Sequence, residues 1–527
     1  MLLGIDSGQT ALKAVVINED GSLLGSASRP TQRLSRHPHW VERDMEHAWQ
    51  QCAEVIRAAM ESARIDGSQI TALSLVGHGD GVYPIDSGGA PTRQAILALD
   101  SRAAPILAEW ETSGVLDAAR GFTGQEPHAG SLAPLSDWLR THEPDAFGRT
   151  RWLLNCKDFL RLRLTGEVAT DIVEANSCFG LLDGSGYSDQ AFQAYGLPEV
   201  RALVPDAHSP LEVGGQVTAV AAELTGLRAG TPVIIGTHDI VGAAIGVGAS
   251  KPGQYSLMAG TYSISQVFAH GRVVDRRWQA RPWVGPDEWV YMAASPASAT
   301  NLEWFLRTLA QGERDPIGLA NREAAAVLGE ASPVQFHPFL FGSPYGPGAS
   351  ATFLGMHGWH TRGHLFRALF EGVAFNHLMQ VRDLGSVSPA STFRFTGGGA
   401  KSPLWCQMFA DALNAPIQTT EHDETGALGA ALCAGVGTGV FPTLAAAETA
   451  CVRVKAVFEP TADGADRMAD GFRRYQRSVA HLRSLWPCIE DVSSPTAYLD
   501  SALAVDGSSP GDSPMGSTAT QEGSSSC

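Results

Sequence analysis

The segment Leu3-Gly4-Ile5-Asp6-Ser7-Gly8-Gln9-Thr10-Ala11-Leu12-Lys13 lies near the start of the chain, and Tyr255-Ser256-Leu257-Met258-Ala259-Gly260-Thr261-Tyr262-Ser263 follows the same pattern in the second half. Each segment predicts an apolar strand, a turn of small residues with glycine and a hydroxyl, and a second strand. Turns of this kind let backbone N–H groups approach phosphate oxygens closely. Two such turns predict two lobes that hold one polyphosphate from opposite sides.

The composition narrows the class of protein. A chain of 527 residues is long enough for two or three domains, and its formal net charge of −17 argues against a nucleic-acid-binding surface. No apolar run reaches about 18 residues, so we expect no membrane span, and the N-terminus does not resemble a signal peptide. Eight cysteines without a CxxC pair predict reduced thiols in a cytoplasmic protein rather than disulfides or a zinc site.

Strands and helices alternate along both halves, which predicts an α/β protein. Residues 2–28 are expected to form three strands, with a turn at residues 18–21 between the second and the third. Other expected strands are residues 70–76, 82–86, 233–236 and 392–396, and the expected helices are residues 44–64, about 300–310, 364–383, 403–414 and 424–437. The tail, residues 491–527, is rich in Ser, Gly and Pro and is predicted to be disordered.

Two aspartates at strand ends are candidates for the chemistry of the cleft. Asp6 precedes the first glycine turn, where its carboxylate would abut bound phosphates and orient Mg²⁺ through water; the alternative is an aspartate that stabilises its own turn. Asp239 follows the apolar strand 233–236 and is a candidate catalytic base that accepts a proton from a substrate hydroxyl. The alternative for Asp239 is a helix N-cap. We favour the base because the next helix is rich in glycine, so another backbone can approach it.

A glycine-rich segment in the second half is a candidate for nucleotide binding. Residues 397–403 predict a triple-glycine loop between a strand and a helix, with Ser402 as the N-cap and Pro403 as the first helical residue. Free N–H groups at such a terminus suit an anion or the edge of a nucleotide. A tight structural turn would explain the same residues.

Polar residues in two loops are candidates for sugar binding. His78 and Asp80 lie in a loop bracketed by glycines, and a hydroxyl-rich substrate needs such donors and acceptors. Ordinary surface residues are the alternative. Asp100 and Arg102 are further candidates for the same pocket, although Arg102 would equally form a salt bridge with Asp100 or Asp44.

Taken together and in this order, the motifs resemble those of the FGGY carbohydrate kinases, a branch of the sugar kinase/Hsp70/actin superfamily. The similarity covers about residues 2–485. The matching segments are Asp6-Ser7-Gly8-Gln9-Thr10, Trp40-Val41-Glu42-Arg43-Asp44, Asp100-Ser101-Arg102-Ala103, Leu164-Thr165-Gly166-Glu167, Gly236-Thr237-His238-Asp239, Gly260-Thr261, Gly397-Gly398-Gly399-Ala400-Lys401-Ser402 and residues 424–431.

The resemblance implies two actin-like (ribonuclease H-like) ATPase lobes with a central cleft. Residues 1–247 would form the sugar-binding lobe and residues 248–490 the lobe that binds most of the ATP. Asp239 would be the catalytic base, and Asp6 and Asp239 would lie near Mg²⁺. The residues implied at the nucleotide are Asp6, Gly8, Gln9, Thr10, Lys13, Gly260, Thr261, Gly398, Gly399 and Lys401, and those implied at the sugar are His78, Gly79, Asp80, Asp100, Arg102 and Asp239.

The substrate implied by the resemblance is a small neutral sugar or polyol, with a pentulose such as L-xylulose favoured. The loop at residues 77–81 is closer to the L-xylulose/3-keto-L-gulonate and erythritol types than to ordinary D-xylulose or glycerol kinases. Asp80 would accept hydrogen bonds from hydroxyls and repel a carboxylate. Erythritol kinase is the alternative within the class, and a homodimer is left open as the assembly.

Two other classes are weighed on the same scaffold. A catalytically silent sugar-binding regulator of the repressor type is expected to carry a helix-turn-helix segment before the first lobe, and here the first strand is expected from residue 2. An Hsp70-like chaperone is expected to carry a peptide-binding domain after the second lobe, which a tail of Ser, Gly and Pro would not build.

Overall fold

The computed structural model describes residues 1–285, 287–346 and 348–490, with the side chains of the last helix described as far as residue 486. The predicted disordered tail at residues 491–527 lies outside these residues. Two large mixed sheets, one in each half of the chain, carry the fold, and each is flanked by helices. Within the described residues, no helix has the length and apolar character that crossing a bilayer requires.

The first half contains strands and helices in alternation. The strands are β1 (Leu2–Ser7), β2 (Ala11–Ile17), β3 (Leu23–Pro30), β4 (Glu42–Arg43), β5 (Ala72–Gly77), β6 (Tyr83–Ile85), β7 (Ala95–Ile96), β8 (Trp152–Leu154), β9 (Thr170–Asp171), β10 (Ala207–His208), β11 (Val213–Gln216) and β12 (Pro232–His238). The helices are α1 (Met45–Ala63), α2 (Ala104–Ser113), α3 (Val115–Thr123), α4 (Leu132–His142), α5 (Pro144–Arg149), α6 (Cys156–Thr165), α7 (Ile172–Ala175), α8 (Asp189–Ala194), α9 (Ala219–Thr225) and α10 (Asp239–Gly246), with a short 3₁₀ helix at Pro198–Ala202.

The second half repeats this architecture. Its strands are β13 (Gln254–Ala259), β14 (Ser263–His270), β15 (Gln279–Pro282), β16 (Glu288–Ser295), β17 (Gln335–His337), β18 (Thr352–Leu354), β19 (Thr392–Thr396), β20 (Ile417–Thr420) and β21 (Val454–Phe458). Its helices are α11 (Ala299–Leu309), α12 (Pro316–Ala326), α13 (Arg362–Leu384), α14 (Pro403–Leu413), α15 (Thr425–Gly437), α16 (Leu444–Cys451) and α17 (Ala462–Glu490), with a 3₁₀ turn at Gly398–Lys401.

The two large sheets share one local topology. The first has the strand order β11-β12-β5-β1-β2-β3, and the second has the order β15-β16-β14-β13-β19-β20-β21. In the first, β1 is antiparallel to β2 and parallel to β5; in the second, β13 is antiparallel to β14 and parallel to β19. The two glycine turns recognised in the sequence therefore occupy equivalent hairpins, and the predicted α/β class is confirmed.

Local sequence explains where the elements begin and end. Helix α1 starts because the Asp44 carboxylate accepts the N–H of His47, and its buried face carries apolar residues at helical spacing, from Met45 to Met60. The turn between β2 and β3 closes through a hydrogen bond from Gly21 N–H to Asn18 O, with Gly21 at a positive φ of 81°. The long helices agree with the predicted ranges to within two residues.

Candidate active site

A cavity of about 630 Å³ lies between the two halves of the chain. The first half contributes the turn after β1, the loop after β5 and the start of α10, and the second half contributes the turn after β13, the end of β19 and the start of α15. The predicted site residues on its lining are Asp6, Gly8, Gln9, Thr10, Lys13, His78, Gly79, Asp80, Asp239 and Thr261. These residues are far apart in the sequence, and the two sheets bring them to one cleft.

Asp6 is a partly buried carboxylate with one inaccessible oxygen, and its interactions are incomplete. Its Oδ1 has no hydrogen-bond partner, and burial, followed by the charge of Asp239, raises the pKa of Asp6 to about 8. The nearby Lys13 ammonium is 2.5 Å from Glu424 across the cleft and lowers the pKa of Asp6 only in part. A desolvated carboxylate with an unpartnered oxygen is suited to a cation, so the alternative of an aspartate that only stabilises its own turn receives no support.

Asp239 stands at the junction of β12 and α10. The N-cap of α10 is His238, whose Nδ1 lies 3.4 Å from the backbone N of Ile240, and Asp239 is the first helical residue. Its carboxylate is one quarter exposed, with Oδ1 at 2.9 Å from His238 Nδ1. Burial lowers the pKa of His238, but the carboxylates of Glu174 and Asp239 outweigh burial and raise it. Asp239 is therefore not the helix cap, and its carboxylate faces the cavity.

Asp6 and Asp239 fit Mg²⁺ in the way this ion is commonly bound. Within the described parts of the chain, no three His, Cys, Asp or Glu side chains converge as metal ligands. Mg²⁺ is usually held by one or two carboxylates together with waters and substrate phosphates. The unpartnered Oδ1 of Asp6 and the electrostatic repulsion between the two carboxylates are what a cation there would relieve.

The second glycine turn faces this carboxylate pair. Thr261 and Tyr262 line the cavity, while Gly260 lies just behind them and donates its N–H to Tyr262 O at 3.3 Å. Tyr262 directly follows Gly260 and Thr261 in this turn. Its ring adds an apolar surface beside the hydroxyl of Thr261, at the point where phosphates are predicted to lie.

The predicted nucleotide loop has the expected local structure. Ser402 Oγ accepts the N–H of Trp405 and caps α14, and Gly397, at a φ of 85°, lines the cavity. The predicted nucleotide residues Gly398, Gly399 and Lys401 are outside the lining. A Cβ at Gly398 would meet open space, whereas one at Gly399 would lie 2.8 Å from the Ala259 side chain. Lys401 is exposed, with its Nζ 3.3 Å from Asp423.

The predicted sugar residues differ in how free they are. His78 is buried, and its Nε2 is 3.0 Å from the Tyr83 hydroxyl. Gly79 leaves room for a neighbouring ring, because a Cβ there would lie 2.0 Å from His238 Nε2. Asp80 is already engaged: Ser177 Oγ donates to its Oδ1, and its Oδ2 is 3.1 Å from His128 Nε2.

Asp100 and Arg102 lie behind the cavity rather than on its lining. Both side chains are essentially inaccessible, and Arg102 pairs with Asp100 at 2.8 Å and with Glu42 at 2.9 Å. Its guanidinium lies 3.9 Å from the Trp40 ring centroid, and Asp100 accepts the Val41 N–H. The salt-bridge alternative is therefore observed, with Glu42 rather than Asp44 as the second partner. The geometry gives no support to direct sugar contact by these two residues.

Several polar residues of the lining were missed from the sequence, and three of them lie far from every motif that the sequence shows. These three are Glu126, His128 and Gln279. The first two lie in the irregular segment between α3 and α4, and the third begins β15 in the other half of the chain. No motif surrounds them, so no signal short of the folded structure would have identified them.

Comparison with known proteins agrees with the geometry. The family model for the N-terminal domain of the FGGY family of carbohydrate kinases matches residues 1–246, and that for the C-terminal domain matches residues 257–438. The L-xylulose/3-keto-L-gulonate kinase of Escherichia coli is 32% identical over 93% of this chain and 98% of its own length. A probable L-xylulose kinase of Pasteurella multocida is 34% identical over 82% of this chain and 90% of its own.

Solved structures agree with the fold. The xylulose kinase from Rhodospirillum rubrum superposes with a TM-score of 0.84 at 28% identity, covering 92% of this chain and 99% of that chain. The expected pair of actin-like lobes with a central cleft is thereby confirmed, as is the expected enzyme class, an ATP-dependent sugar phosphotransferase. The chain belongs to the FGGY family of carbohydrate kinases.

Proposed function

We propose that this kinase phosphorylates a pentulose, with L-xylulose as the favoured substrate, and that Asp239 is its catalytic base. The observation that carries the proposal is the placement of two carboxylates, Asp6 and Asp239, in one cleft, close enough that the charge of Asp239 raises the pKa of Asp6. Such a pair provides a cation position and a proton acceptor at the same point, which phosphoryl transfer to a hydroxyl requires.

The step follows from this placement. The sugar hydroxyl loses its proton to the Asp239 carboxylate as its oxygen bonds to the γ-phosphorus, and the bond to the bridging oxygen breaks to leave ADP. Asp6 and Asp239 would hold Mg²⁺ together with waters and substrate phosphates, and the bound ion would neutralise phosphate charge. The turns at residues 8–10 and 260–261 offer backbone N–H groups to the phosphates. Approach of the two lobes excludes water and limits hydrolysis of ATP.

The choice of a pentulose rests on the relatives and on the sugar side of the cavity. The two relatives described above carry L-xylulose in their names. His78 and Asp239 face this part of the cavity as polar groups. Erythritol is the second candidate substrate, because the loop at residues 77–81 also resembles the corresponding loop of erythritol kinases. The third candidate is a sugar-binding regulator without catalytic activity.

The cellular setting stays within the proposal. The described cysteines are all buried and unpaired, namely Cys52, Cys156, Cys178, Cys406, Cys433 and Cys451. Reduced thiols of this kind support a cytoplasmic location. A homodimer remains a prediction, for which sedimentation at micromolar concentration is the direct measurement.

A coupled ADP-release assay tests the proposal. L-xylulose, D-xylulose, erythritol, glycerol and 3-keto-L-gulonate are compared with wild-type enzyme and with Asp239→Asn, using the exposed Asp463→Asn as the matched control. We expect the highest kcat/KM for L-xylulose, a fall of kcat by about 10³-fold or more in Asp239→Asn, and normal turnover in Asp463→Asn. A higher kcat/KM for erythritol than for L-xylulose would make erythritol the substrate. Absence of turnover with every sugar would favour the sugar-binding regulator. Near-normal turnover in Asp239→Asn would reject Asp239 as the catalytic base.

A further inference from the structure

An arginine from the second half of the chain lies just outside the cavity lining and contacts Asp80, which is on that lining. Arg281 lies on β15 and is only 1% exposed. Its Nη2 is 3.6 Å from Asp80 Oδ2, its Nη1 is 3.7 Å from Glu174 Oε2, and Nη1 donates to Val173 O at 3.4 Å. All three partners belong to the first half. A buried cation from one domain therefore bridges two carboxylates of the other.

Asp80 is an anchor point rather than a free acceptor. Its backbone is in the left-handed region at a φ of 55°, which a residue other than glycine adopts only when its surroundings hold it. Ser177 Oγ donates to Oδ1, and His128 Nε2 donates to Oδ2. Although burial raises the pKa of Asp80, His128, Arg281 and Ser177 together hold it well below its ordinary range. Asp80 is thus charged, and its partners saturate it.

His128 is oriented by this anchor. The Gly130 N–H donates to His128 Nδ1 at 3.1 Å, so the ring proton lies on Nε2, the atom that donates to Asp80. The side chain is 46% exposed and lines the cavity. With both nitrogens engaged, the ring presents its face and its carbon edge to the sugar. Any movement of the Asp80 carboxylate would therefore move a surface of the predicted sugar pocket.

Arg281 also offsets the charge of Glu174, together with His238. Neither carboxylate oxygen of Glu174 has a hydrogen-bond partner, and Arg281 Nε likewise lacks one. Burial raises the pKa of Glu174 to about 7, although His238 and Arg281 lower it. The other buried cation nearby, Lys157, is already paired with Asp158 and Asp171. Removal of Arg281 would take away the one cation in the described residues that contacts both Asp80 and Glu174.

We propose that Arg281 is a positioning residue that determines sugar selectivity, acting through Asp80 on His128. The inference rests on the proposed sugar kinase activity and deepens it: the C-terminal domain, which is predicted to bind most of the ATP, also fixes the shape of the sugar pocket. The sugar site is complete only when β15 is docked against the first half, where Gln125 Nε2 further donates to Ala280 O at 2.7 Å.

A double-mutant cycle on the full-length enzyme tests this coupling. Arg281→Met, Asp80→Asn and the double variant are compared for KM of the sugar and of ATP, using the sugar that the wild type turns over best. We expect each single variant to raise the sugar KM by about tenfold or more while the ATP KM stays within about twofold. We expect the double variant to be no more than about threefold worse than either single variant, because both remove the same arrangement.

Two further variants keep the test decisive. Arg281→Lys retains the charge, so its sugar KM and its ratio of kcat/KM between L-xylulose and D-xylulose are expected to lie between those of Arg281→Met and the wild type. If Arg281→Met does not fold, Arg281→Lys replaces it in the cycle. Arg453→Met is the control, since Arg453 is exposed and also crosses between the halves, donating to Asp20 O at 3.4 Å away from the cavity.

The outcomes that overturn the inference are distinct from failure of the proposed function. The inference is rejected if the rise in sugar KM in the double variant equals the product of the rises in the two single variants, or if the ATP KM rises as much as the sugar KM. It is also rejected if Arg281→Lys and Asp80→Asn leave both the sugar KM and the ratio of kcat/KM between L-xylulose and D-xylulose unchanged. A wild type that prefers erythritol to every pentulose would reject the proposed substrate alone, because the cycle is measured with the preferred sugar.

Discussion

Gly242 of α10 and Gly429 of α15 pack backbone against backbone: a Cβ at Gly429 would lie 1.9 Å from the Gly242 carbonyl oxygen. Helix α10 starts at Asp239, and α15 starts next to Glu424, on the other side of the cavity. The contact between these two glycines therefore fixes the candidate base relative to the second half. It also gives a physical reason for Gly242, one of the glycines in the helix that follows Asp239.

Gly429→Ala should separate the two halves slightly and lower both stability and activity. The added methyl meets a backbone carbonyl, which cannot rotate away, so we expect a loss of about 2–3 kcal/mol in the free energy of unfolding and a lower kcat. Thermal denaturation and the coupled assay measure the two effects. Gly148→Ala is the control, because a Cβ there meets nothing within 4 Å and helix α5 favours alanine. Equal melting temperatures for the two variants would contradict the packing argument.

Asp6→Asn should gain stability and lose activity. The pKa of Asp6 is raised to about 8 by burial and Asp239, so the native state holds a proton that the unfolded chain releases near pH 4. Wild-type stability attributable to Asp6 thus falls as the pH rises from about 4 to about 8, and asparagine lacks this penalty. We expect Asp6→Asn to raise the melting temperature of the ligand-free protein by at least about 2 °C at pH 8, and by less at pH 5.

The same variant should respond weakly to nucleotide. MgATP stabilises the wild type by binding the native state, and loss of the Asp6 carboxylate removes a predicted cation contact. A thermal shift with MgATP equal to that of the wild type, or a lower melting temperature at pH 8 without ligand, would show that Asp6 does not have the proposed role.

Gly79→Ala should damage catalysis more than folding. The new methyl would lie 2.0 Å from His238 Nε2, and His238 contacts Asp239 at 2.9 Å through its other nitrogen. The imidazole must therefore move and take the carboxylate contact with it. We expect kcat to fall by about tenfold or more, measured in the ADP-release assay. Gly121→Ala in α3 is the control and should leave kcat unchanged, because a Cβ there meets nothing within 4 Å. An unchanged kcat in Gly79→Ala would refute the argument that Gly79 holds His238 in place.

His377 should contribute to acid lability. Ser265 Oγ donates to Gln380 Oε1, so His377 Nδ1–H donates to Ser265 Oγ, and His377 Nε2 is buried without a partner. Burial accordingly lowers the pKa of His377 to about 3. The unfolded chain takes up this proton near pH 6.5 and the native state does not, so the stability that His377 contributes is present above about pH 6.5 and is lost between about pH 6.5 and pH 3.

His377→Asn isolates this effect, because an asparagine amide can still donate to Ser265. We expect the variant to lose less unfolding free energy than the wild type between pH 7 and pH 5, measured by urea denaturation at each pH. Parallel curves for wild type and His377→Asn would contradict the assignment.

Residues close in sequence made much of this fold predictable. The hairpin at Asp6–Lys13, the cap of Asp44 on α1 and the Ser402–Pro403 start of α14 are each set by neighbours within a few positions, so their geometry is encoded locally. The spacing of apolar residues along the chain predicted which segments form strands and which form helices. The motifs, taken in their order along the chain, indicated the family. Asp6 and Asp239 were predicted as site residues on the same basis, as carboxylates at the ends of buried strands.

Contacts between distant segments could not be read in this way. Arg281 reaches Asp80 across some 200 positions, and nothing in the residues around either one indicates the other. Arg102 lies on Trp40 and Glu42 behind the pocket because the chain folds back there, not because of its neighbours in sequence. Side-chain pairing of this kind depends on how the two sheets are docked and which charges burial leaves without water, and these properties arise only when the whole chain is folded.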